Sequence, residues 1–225
     1  MSASVSIISH PWNLSREEAI KVQQHLSSRV IRTSDNRIKD LTIVAGIDTH
    51  YHNGLATAAV VSMRLPDFSP VAQATAERRV TFPYLTGLLA FREGPVMLEA
   101  IRKLASPPDV LIFDGQGIAH PRRVGLACHM GLWLDLPSIG CAKTWLYGRY
   151  REPHPAKGSY CYLRDGEDII GAVVRTRTEV NPLFVSVGHR INLEDCIRIV
   201  LKCCRRYRLP EPIRSAHALA RAPVD

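Results

Sequence analysis

A short apolar segment that ends in an acid and a glycine-rich turn constrains this chain more than any other feature. Val110–Phe113 has the length and composition of a fully buried strand, and Asp114 follows it directly, with Gly115 and Gly117 next. An acid at the carboxyl end of a buried strand lies at the rim of a sheet, where ligands of α/β proteins bind. The same pattern also fits an ordinary turn between a strand and a helix, so other segments must decide between the two interpretations.

A second apolar segment, residues 41–48, ends in Asp48 in the same manner. We predict a turn over residues 49–54 and two further strands at 55–65 and 71–82. The links between these three strands are short, which indicates an antiparallel meander.

Patterns with a helical period separate and follow the strands. Apolar residues recur on one face in five segments, and we predict helices at 16–31, 91–104, 121–134, 192–207 and 213–220. The remaining strands are predicted at 110–113, 137–142 and 183–187, together with a hairpin inside 160–178. This order predicts an α/β fold with a mixed, ribonuclease H-like sheet, in which three antiparallel strands lead into parallel strands and helices cover both faces. No repeat or boundary interrupts the pattern, so residues 1–225 are predicted to form a single domain.

The charge of the chain points to an acidic partner. Lysine and arginine exceed aspartate and glutamate, which gives a formal net charge of +8. Nucleic acid is the first candidate for such a partner and an anionic membrane surface the second. No apolar run approaches the ~20 residues of a membrane span, and the first ten residues lack the pattern of a signal peptide. We therefore predict a cytoplasmic protein that does not enter a membrane. The six cysteines lack the spacing of a zinc site and are expected to be free thiols.

Two of the acids are placed where they could share a metal ion. If the strands that end in Asp48 and Asp114 are neighbours, the two carboxylates meet at one rim and repel each other unless a cation or proton lies between them. Glu93, near the start of the helix before the Asp114 strand, could supply a third carboxylate. Mg²⁺ or Mn²⁺ is the expected cation, because both prefer oxygen ligands. Each acid also has a structural interpretation, Glu93 as a charge at a helix N-terminus and Asp48 as a turn residue.

Six segments, taken together, resemble the motifs of the endonuclease V family. They are VAGID at 44–48, PYLTGLLAFRE at 83–93, DGQGIAHPRRVGLA at 114–127, PSIGCAK at 137–143, NPLFVSVGHR at 181–190 and YRLPEPIRSAH at 207–217. The resemblance runs from about residue 15 to residue 220, in order and without a large insertion. It departs from the family's pattern at Thr86 and Val187, where proline is usual. Neither departure removes a charged group, although threonine at 86 could loosen the loop that carries it.

The resemblance implies an activity and a substrate. Enzymes of this family are Mg²⁺-dependent nucleases that recognise deaminated adenine, present as inosine, and cut the second phosphodiester bond on its 3′ side. The products carry 3′-hydroxyl and 5′-phosphate ends. We therefore expect a monomeric DNA repair endonuclease that acts on deoxyinosine in double- or single-stranded DNA, with Mg²⁺ as cofactor and Mn²⁺ as a substitute. An endonuclease for inosine-containing RNA is the alternative, and a nucleic-acid binder without catalysis is a third possibility.

The resemblance also assigns catalytic roles. The family's catalytic positions fall on Asp48, Glu93, Asp114, Lys143 and His217. The three carboxylates are the expected metal ligands, and Lys143 matches a lysine near the scissile phosphate. The division of acid and base roles between Glu93 and His217 stays open.

A second group of residues is expected to contact the substrate. Tyr84 matches a wedge tyrosine, which enters the duplex where the lesion base has been turned out. The other expected contacts are Gly87 and Gly115 at the pocket for that base, His120 as an orienting group for the loop or a phosphate, and Arg122 and Arg123 at backbone phosphates.

Overall fold

Eight strands form one continuous sheet in the computed structural model, which describes residues 8–222. The strands are β1 Ile43–His52, β2 Leu55–Arg64, β3 Ser69–Arg79, β4 Val110–Phe113, β5 Ser138–Ala142, β6 Tyr160–Asp165, β7 Asp168–Val174 and β8 Leu183–His189. Their order across the sheet is β3-β2-β1-β4-β5-β8-β7-β6. β1, β4 and β5 run parallel and the other neighbours antiparallel, so the predicted mixed sheet is confirmed.

Helices cover both faces of the sheet, as predicted. They are α1 Arg16–Ser27, α2 Leu89–Arg102, α3 Leu126–Leu134, α4 Leu193–Cys203 and α5 Glu211–Ala220. Side chains alternate between the two faces of a strand. Val44 and Ile112 accordingly pack in the core that includes residues of α4 and α5, whereas Ala45 and Leu111 pack in the core that includes residues of α2. Among residues 8–222, no helix has the length and apolar character needed to cross a bilayer. The prediction about a signal peptide rests mainly on residues 1–7, which lie outside the described range.

The first hairpin is longer than predicted. β1 continues to His52, and the turn consists of Asn53 and Gly54 alone rather than of residues 49–54. Both turn residues have positive φ, at 49° and 77°. An Asn-Gly pair with positive φ at both positions matches the twist of the flanking strands, so the ladder runs up to the turn without interruption. β3 spans residues 69–79 instead of 71–82.

Three helix boundaries also differ from the prediction. α1 ends at Ser27 rather than at residue 31, and α4 ends at Cys203 rather than at residue 207. α3 begins at Leu126 instead of at Pro121. The backbone of Arg123 is left-handed, with φ 58°, which is incompatible with a helix at that point. Residues 121–125 are therefore a loop that precedes α3, and this loop carries two of the predicted substrate contacts, Arg122 and Arg123.

Candidate active site

The end of β4 lies beside the interior of β1 and brings the first pair of acids together; Asp48 does not end its strand as predicted, because β1 continues to His52. Ile47 of β1 pairs with Phe113 of β4 in parallel register, so the residues that follow, Asp48 and Asp114, are neighbours. The amide of Asp114 donates to the carbonyl of Ile47 across 3.4 Å. The predicted adjacency of the two strands is confirmed, and both carboxylates lie at the same rim of the sheet.

Glu93 approaches this pair from α2 and is buried. The hydroxyl of Tyr51 donates to Glu93 Oε1 across 2.8 Å. Burial is the main reason why the pKa of Glu93 rises to about 8; the negative charges of Asp48 and Asp114 add to the rise, and the hydrogen bond from Tyr51 opposes it. Glu93 therefore lies close enough to Asp48 and Asp114 for their charges to act on it, and a shared site for the three carboxylates stays a prediction.

His217 reaches the rim from α5. Its Nδ1 donates to Asp48 Oδ2 across 2.6 Å. α5 can lie this close to β1 because Gly46 has no side chain: a Cβ at Gly46 would come within 2.2 Å of the carbonyl carbon of Pro212. The glycine therefore fixes the height of α5 above the strand, and with it the position of His217.

Lys143 stands directly after β5 and forms an ion pair with Asp114. Arg208 donates to the carbonyl of Lys143 across 2.7 Å, which fixes the backbone at this point. Burial raises the pKa of Asp114, and the charge and hydrogen bond of Lys143 act against that rise. Lys143 therefore compensates part of the negative charge at the rim.

A cavity of about 460 Å³ opens beside the acids. Six of the predicted site residues line it: Tyr84, Gly87, Asp114, Gly115, His120 and Lys143. Tyr84 lines the cavity and is 70% exposed as a residue. Among the other predicted catalytic residues, Asp48, Glu93 and His217 lie outside the lining. The cavity and the group of acids are therefore adjacent sites, and Asp114 and Lys143 belong to both.

The carbonyl of Gly87 organises one wall of this cavity. Gly87 has φ 79°, and its carbonyl oxygen accepts hydrogen bonds from Gln23, His120 and Arg122 at 2.8 to 2.9 Å. Because a carbonyl only accepts, Nε2 of His120 carries the proton, while its Nδ1 accepts from the amide of Arg122. Burial lowers the pKa of His120 to about 4, and the nearby arginines add to this effect. His120 thus orients the loop as a neutral side chain.

The two arginines predicted to hold phosphate both have partners within the protein. Arg122 donates through Nε to Gln23 across 2.6 Å. Arg123 binds Asp165 and Asp168 at the turn between β6 and β7, across 2.7 and 3.0 Å. These contacts favour structural roles for both guanidinium groups, above all for Arg123.

The donor set suits a hard cation, although no ready-made cage is formed. Among residues 8–222, no three His, Cys, Asp or Glu side chains converge around one point. Asp48, Glu93 and Asp114 are each turned toward a partner of their own, namely His217, Tyr51 and Lys143. Mg²⁺ requires only one or two protein carboxylates, because water completes its coordination shell. The buried and mutually repelling acids fit such an ion.

Three residues of the site were missed in the sequence. Gln23 is buried on the apolar face of α1, in step with Ala19 and Leu26, and a polar residue at such a position signals a specific hydrogen-bonding role. Tyr51 was assigned to a turn, so its side chain was not placed beside α2. Gln116 is buried between two glycines and donates to the carbonyl of Thr144 across 3.0 Å.

Known proteins are similar to this chain over almost its whole length. The family model for Endonuclease V matches residues 24–218. Endonuclease V of Roseiflexus sp. (strain RS-1) is 47% identical over 210 residues, which covers 93% of this chain and 94% of the relative. Endonuclease V of Alkalilimnicola ehrlichii is 47% identical over 215 residues, with 95% and 94% covered.

Solved structures share the architecture. Endonuclease V from Streptomyces avermitilis superposes with a TM-score of 0.87 at 40% identity, and 95% of each chain is covered. Ciona intestinalis Endonuclease V, in complex with a 24mer DNA containing an inosine followed by a ribo-adenosine, gives 0.80 at 27% identity, with 91% of this chain and 95% of that one covered. The predicted ribonuclease H-like fold is confirmed. Since the family model matches residues 24–218 and relatives of 47% identity cover more than nine tenths of the sequence, this chain belongs to the endonuclease V family.

Proposed function

We propose that this protein is a metal-dependent endonuclease that recognises deoxyinosine in DNA and hydrolyses the second phosphodiester bond on the 3′ side of the lesion, leaving 3′-hydroxyl and 5′-phosphate ends. The observation that carries the proposal is the cavity beside the rim acids, because Asp114 and Lys143 belong to both. The inosine-containing DNA bound by the Ciona protein supports the same substrate class here. We propose that the protein acts as a monomer in the cytoplasm.

The cavity is suited to a base turned out of the duplex. Extrusion costs a few kcal/mol and least for a poorly paired base, so inosine is favoured over a normal pair. Tyr84 stands exposed at the mouth, where its ring can fill the gap left in the stack. Base–aromatic stacking contributes about 1–3 kcal/mol, which is enough to offset much of the cost of extrusion.

The wall of the cavity offers a way to tell hypoxanthine from adenine. Gln116 lines the cavity, and its Oε1 is a buried acceptor with no hydrogen-bond partner among the described residues, while its amide group donates to the carbonyl of Thr144. Hypoxanthine carries a proton on N1, whereas N1 of adenine is an acceptor. A carboxamide oxygen can therefore accept from hypoxanthine and has nothing to accept from N1 of adenine.

Asp48 and Asp114 are the proposed metal ligands, with Glu93 as the third carboxylate. Burial raises the pKa of both Glu93 and Asp114, and the neighbouring charge of Asp48 adds to each rise, so a cation would stabilise the ionised group. When bound, Mg²⁺ or Mn²⁺ would lower the pKa of water and neutralise charge that develops on the phosphoryl group.

The remaining polar groups have complementary roles. The ammonium group of Lys143 lines the cavity next to Asp114 and can counter the charge of the scissile phosphate. Nδ1 of His217 donates a hydrogen bond to Asp48, so Nε2, which lies 3.5 Å from Nη1 of Arg221, is the nitrogen left to accept a proton from the attacking water. Glu93 is the other candidate for this proton transfer.

The ribo-adenosine in the strand bound by the Ciona protein favours a second candidate function, cleavage of inosine-containing RNA. The two functions differ in contacts to the sugar, because the 2′-hydroxyl distinguishes RNA from DNA. Strands of identical sequence, with deoxyribose or ribose at and beside the inosine, separate them. Cleavage confined to strands that contain ribose would replace the DNA assignment by the RNA one.

A strand-nicking assay tests the proposed function directly. An inosine-containing duplex should be cut at the second bond 3′ to the lesion with Mg²⁺ present, and chelation with EDTA should abolish the cut. The matched adenine duplex is the control and should stay intact. A cut at another bond, or equal cleavage of the adenine duplex, would contradict the proposal.

A further inference from the structure

A groove of about 980 Å³ lies along the edge strand β6, and the proposed function makes no use of it. It is lined mainly by tyrosine and arginine: Arg149, Tyr150, Arg151, Tyr160, Tyr162 and Arg164. All six side chains are exposed.

Two exposed tyrosines lie side by side on β6. Tyr160 and Tyr162 are two positions apart, so both side chains lie on the same face of β6. Leu163, the next residue, is buried on the opposite face. Tyr160 is 43% exposed and Tyr162 is 39% exposed. The centroids of their rings are 5.8 Å apart. The guanidinium of Arg164 lies 5.7 Å from the ring of Tyr162. Exposed aromatic rings on a strand are the platform on which single-stranded nucleic acids stack their bases.

The groove carries a net positive charge, because three arginines line it together with one acid. Arg149 and Arg164 are direct bridge partners, with backbone hydrogen bonds of 2.7 and 2.9 Å between them, and like charges placed opposite each other are destabilising. Asp165, the one acid in the lining, is already bound by Arg123 and by a tyrosine hydroxyl. Within the described part of the chain, Arg149, Arg151 and Arg164 form no ion pair. Phosphate groups would satisfy all three.

The groove lies near the rim that carries the acids. Tyr162 pairs with Ala172, which pairs with Val185, which pairs with Cys141 of β5. Tyr162 is thus in one row with a residue two positions before Lys143, and three strand spacings of ~4.8 Å separate them, roughly 14 Å.

One loop joins the two sites. Residues 143–146 line the cavity beside Asp114, and residues 149–151 line the groove. Trp145 donates to the carbonyl of Gly148 across 2.9 Å, which braces the loop between them. Gly148 has φ 94°, and a Cβ there would come within 2.9 Å of the carbonyl oxygen of Arg164. The loop is therefore packed tightly against β6.

We propose that this groove binds the single-stranded flank of the nucleic-acid substrate, with bases stacked on Tyr160 and Tyr162 and phosphates held by Arg149, Arg151 and Arg164. The proposal rests on the proposed function for the identity of the substrate. The arginines favour a polyanion over a second protein chain at this edge.

Binding of a fluorescein-labelled oligo-dT of about 15 nucleotides, a length within the site size of such platforms, tests the groove without catalysis. The double variant Tyr160→Ala/Tyr162→Ala should bind at least about 10-fold more weakly, since each stacked base contributes about 5-fold or more. Tyr160→Phe/Tyr162→Phe keeps the rings and should bind like the unaltered protein. Arg149→Ala/Arg151→Ala should lower the slope of log K against log salt by ~0.7 per lost contact.

Arg102→Ala, which removes an exposed charge on α2, is the matched control and should change the salt slope less than the groove variants do. Equal binding by the tyrosine-to-alanine and tyrosine-to-phenylalanine variants would overturn the proposal. A change of oligomeric state in sedimentation, with oligo-dT binding unaltered, would overturn it in favour of a protein partner at this edge.

Nicking of inosine strands with short and long single-stranded flanks links the groove to the substrate. Tyr160→Ala/Tyr162→Ala should raise KM for long flanks and leave short flanks unchanged, with kcat the same in both. Equal kinetics on both substrates would contradict the groove proposal while the nuclease assignment stands. Failure of the unaltered protein to nick any inosine strand would instead contradict the proposed function, and the oligo-dT measurement would still decide the groove.

Discussion

Each acid at the rim is held by a different donor, and this arrangement keeps three carboxylates close together. Asp48 is held by His217, Asp114 by Lys143 and Glu93 by a tyrosine hydroxyl. Buried carboxylates that repel one another cost folding free energy, because burial disfavours the charged form and each neighbour adds to the repulsion. Such a cost is typical of residues kept for binding or chemistry rather than for stability.

Replacement of Asp114 should separate catalysis from binding. We expect Asp114→Asn to reduce Mg²⁺-dependent nicking by about 1,000-fold or more, because the metal's charge stabilisation of several kcal/mol is lost. Binding of inosine duplex should stay within a few-fold. The melting temperature should not fall, since the buried carboxylate opposes folding. Unchanged nicking would remove Asp114 from the site.

Tyr84 should act only on lesion recognition. Tyr84→Ala is expected to weaken binding to an inosine duplex by about 5- to 100-fold, which corresponds to the loss of one stacking contact. Tyr84→Phe keeps the ring and serves as the control. Because the side chain is 70% exposed, neither change should alter the melting temperature. An equal loss of binding to undamaged duplex would argue against a wedge.

At the scale of elements, the site depends on how α5 sits on β1. The two backbones approach closely at Gly46, opposite Pro212, and His217 lies further along the same helix. A displacement of the helix would move His217 relative to Asp48 without touching either residue. The turn between β1 and β2 matters in the same way, since Tyr51 reaches Glu93 only because β1 continues past the predicted boundary.

Gly46→Ala should therefore reduce both stability and activity. A Cβ would overlap the backbone of Pro212 at 2.2 Å, and overpacking of this kind costs about 1–3 kcal/mol of unfolding free energy. His217→Ala is the matched control: it should lose activity with little change in the denaturant midpoint, because the side chain is 43% exposed. A Gly46→Ala protein with normal stability and normal nicking would disprove the positioning role of the glycine.

At the scale of the whole molecule, buried histidines make stability depend on pH. His129 lies in an aromatic cluster with Trp12 and Phe91, and its Nε2 is 2.7 Å from Nε2 of His10. Burial lowers the pKa of His129 to about 3, and burial likewise lowers that of His120 to about 4. Below the unfolded pKa of about 6.5 the unfolded chain binds protons that the folded chain does not, so acid favours unfolding.

We expect the contribution of these two histidines to the unfolding free energy to be complete above pH 6.5 and to fall as the pH drops toward 4. Glu93 contributes in the opposite direction, because its raised pKa favours the folded state more at lower pH. Each such histidine should contribute about 2 kcal/mol of loss between pH 7 and pH 5. His129→Leu should flatten this slope by about that amount, whereas His25→Gln, at an exposed position of α1, should leave it unchanged. Denaturant titrations at several pH values measure both slopes, and identical slopes for His129→Leu and the unaltered protein would contradict the assignment.

The sequence by itself determined the strands, their faces and the acids. Apolar runs identify buried strands because apolar surface leaves water. The run before Asp114 ends with its strand, whereas β1 continues past Asp48 to His52. The order of strands and helices matches ribonuclease H-like folds, in which the first and fourth strands can be neighbours, so the adjacency of β1 and β4, and with it the pairing of Asp48 and Asp114, was predictable. The boundary of α3 was not predictable from the sequence. Arg123, just before it, has a left-handed backbone and forms ion pairs with residues more than 40 positions away.

Only the tertiary structure decided which donor holds which acid. His217 and Asp48 are 169 positions apart in sequence, and Tyr51 and Glu93 are 42 apart. Contacts of this kind depend on strand order, on helix height and on which face a side chain occupies, and a shift of one residue in register reverses that face. The groove along β6 has the same origin, since the tyrosines and arginines become one surface only when the loop after β5 packs on the far edge of the sheet.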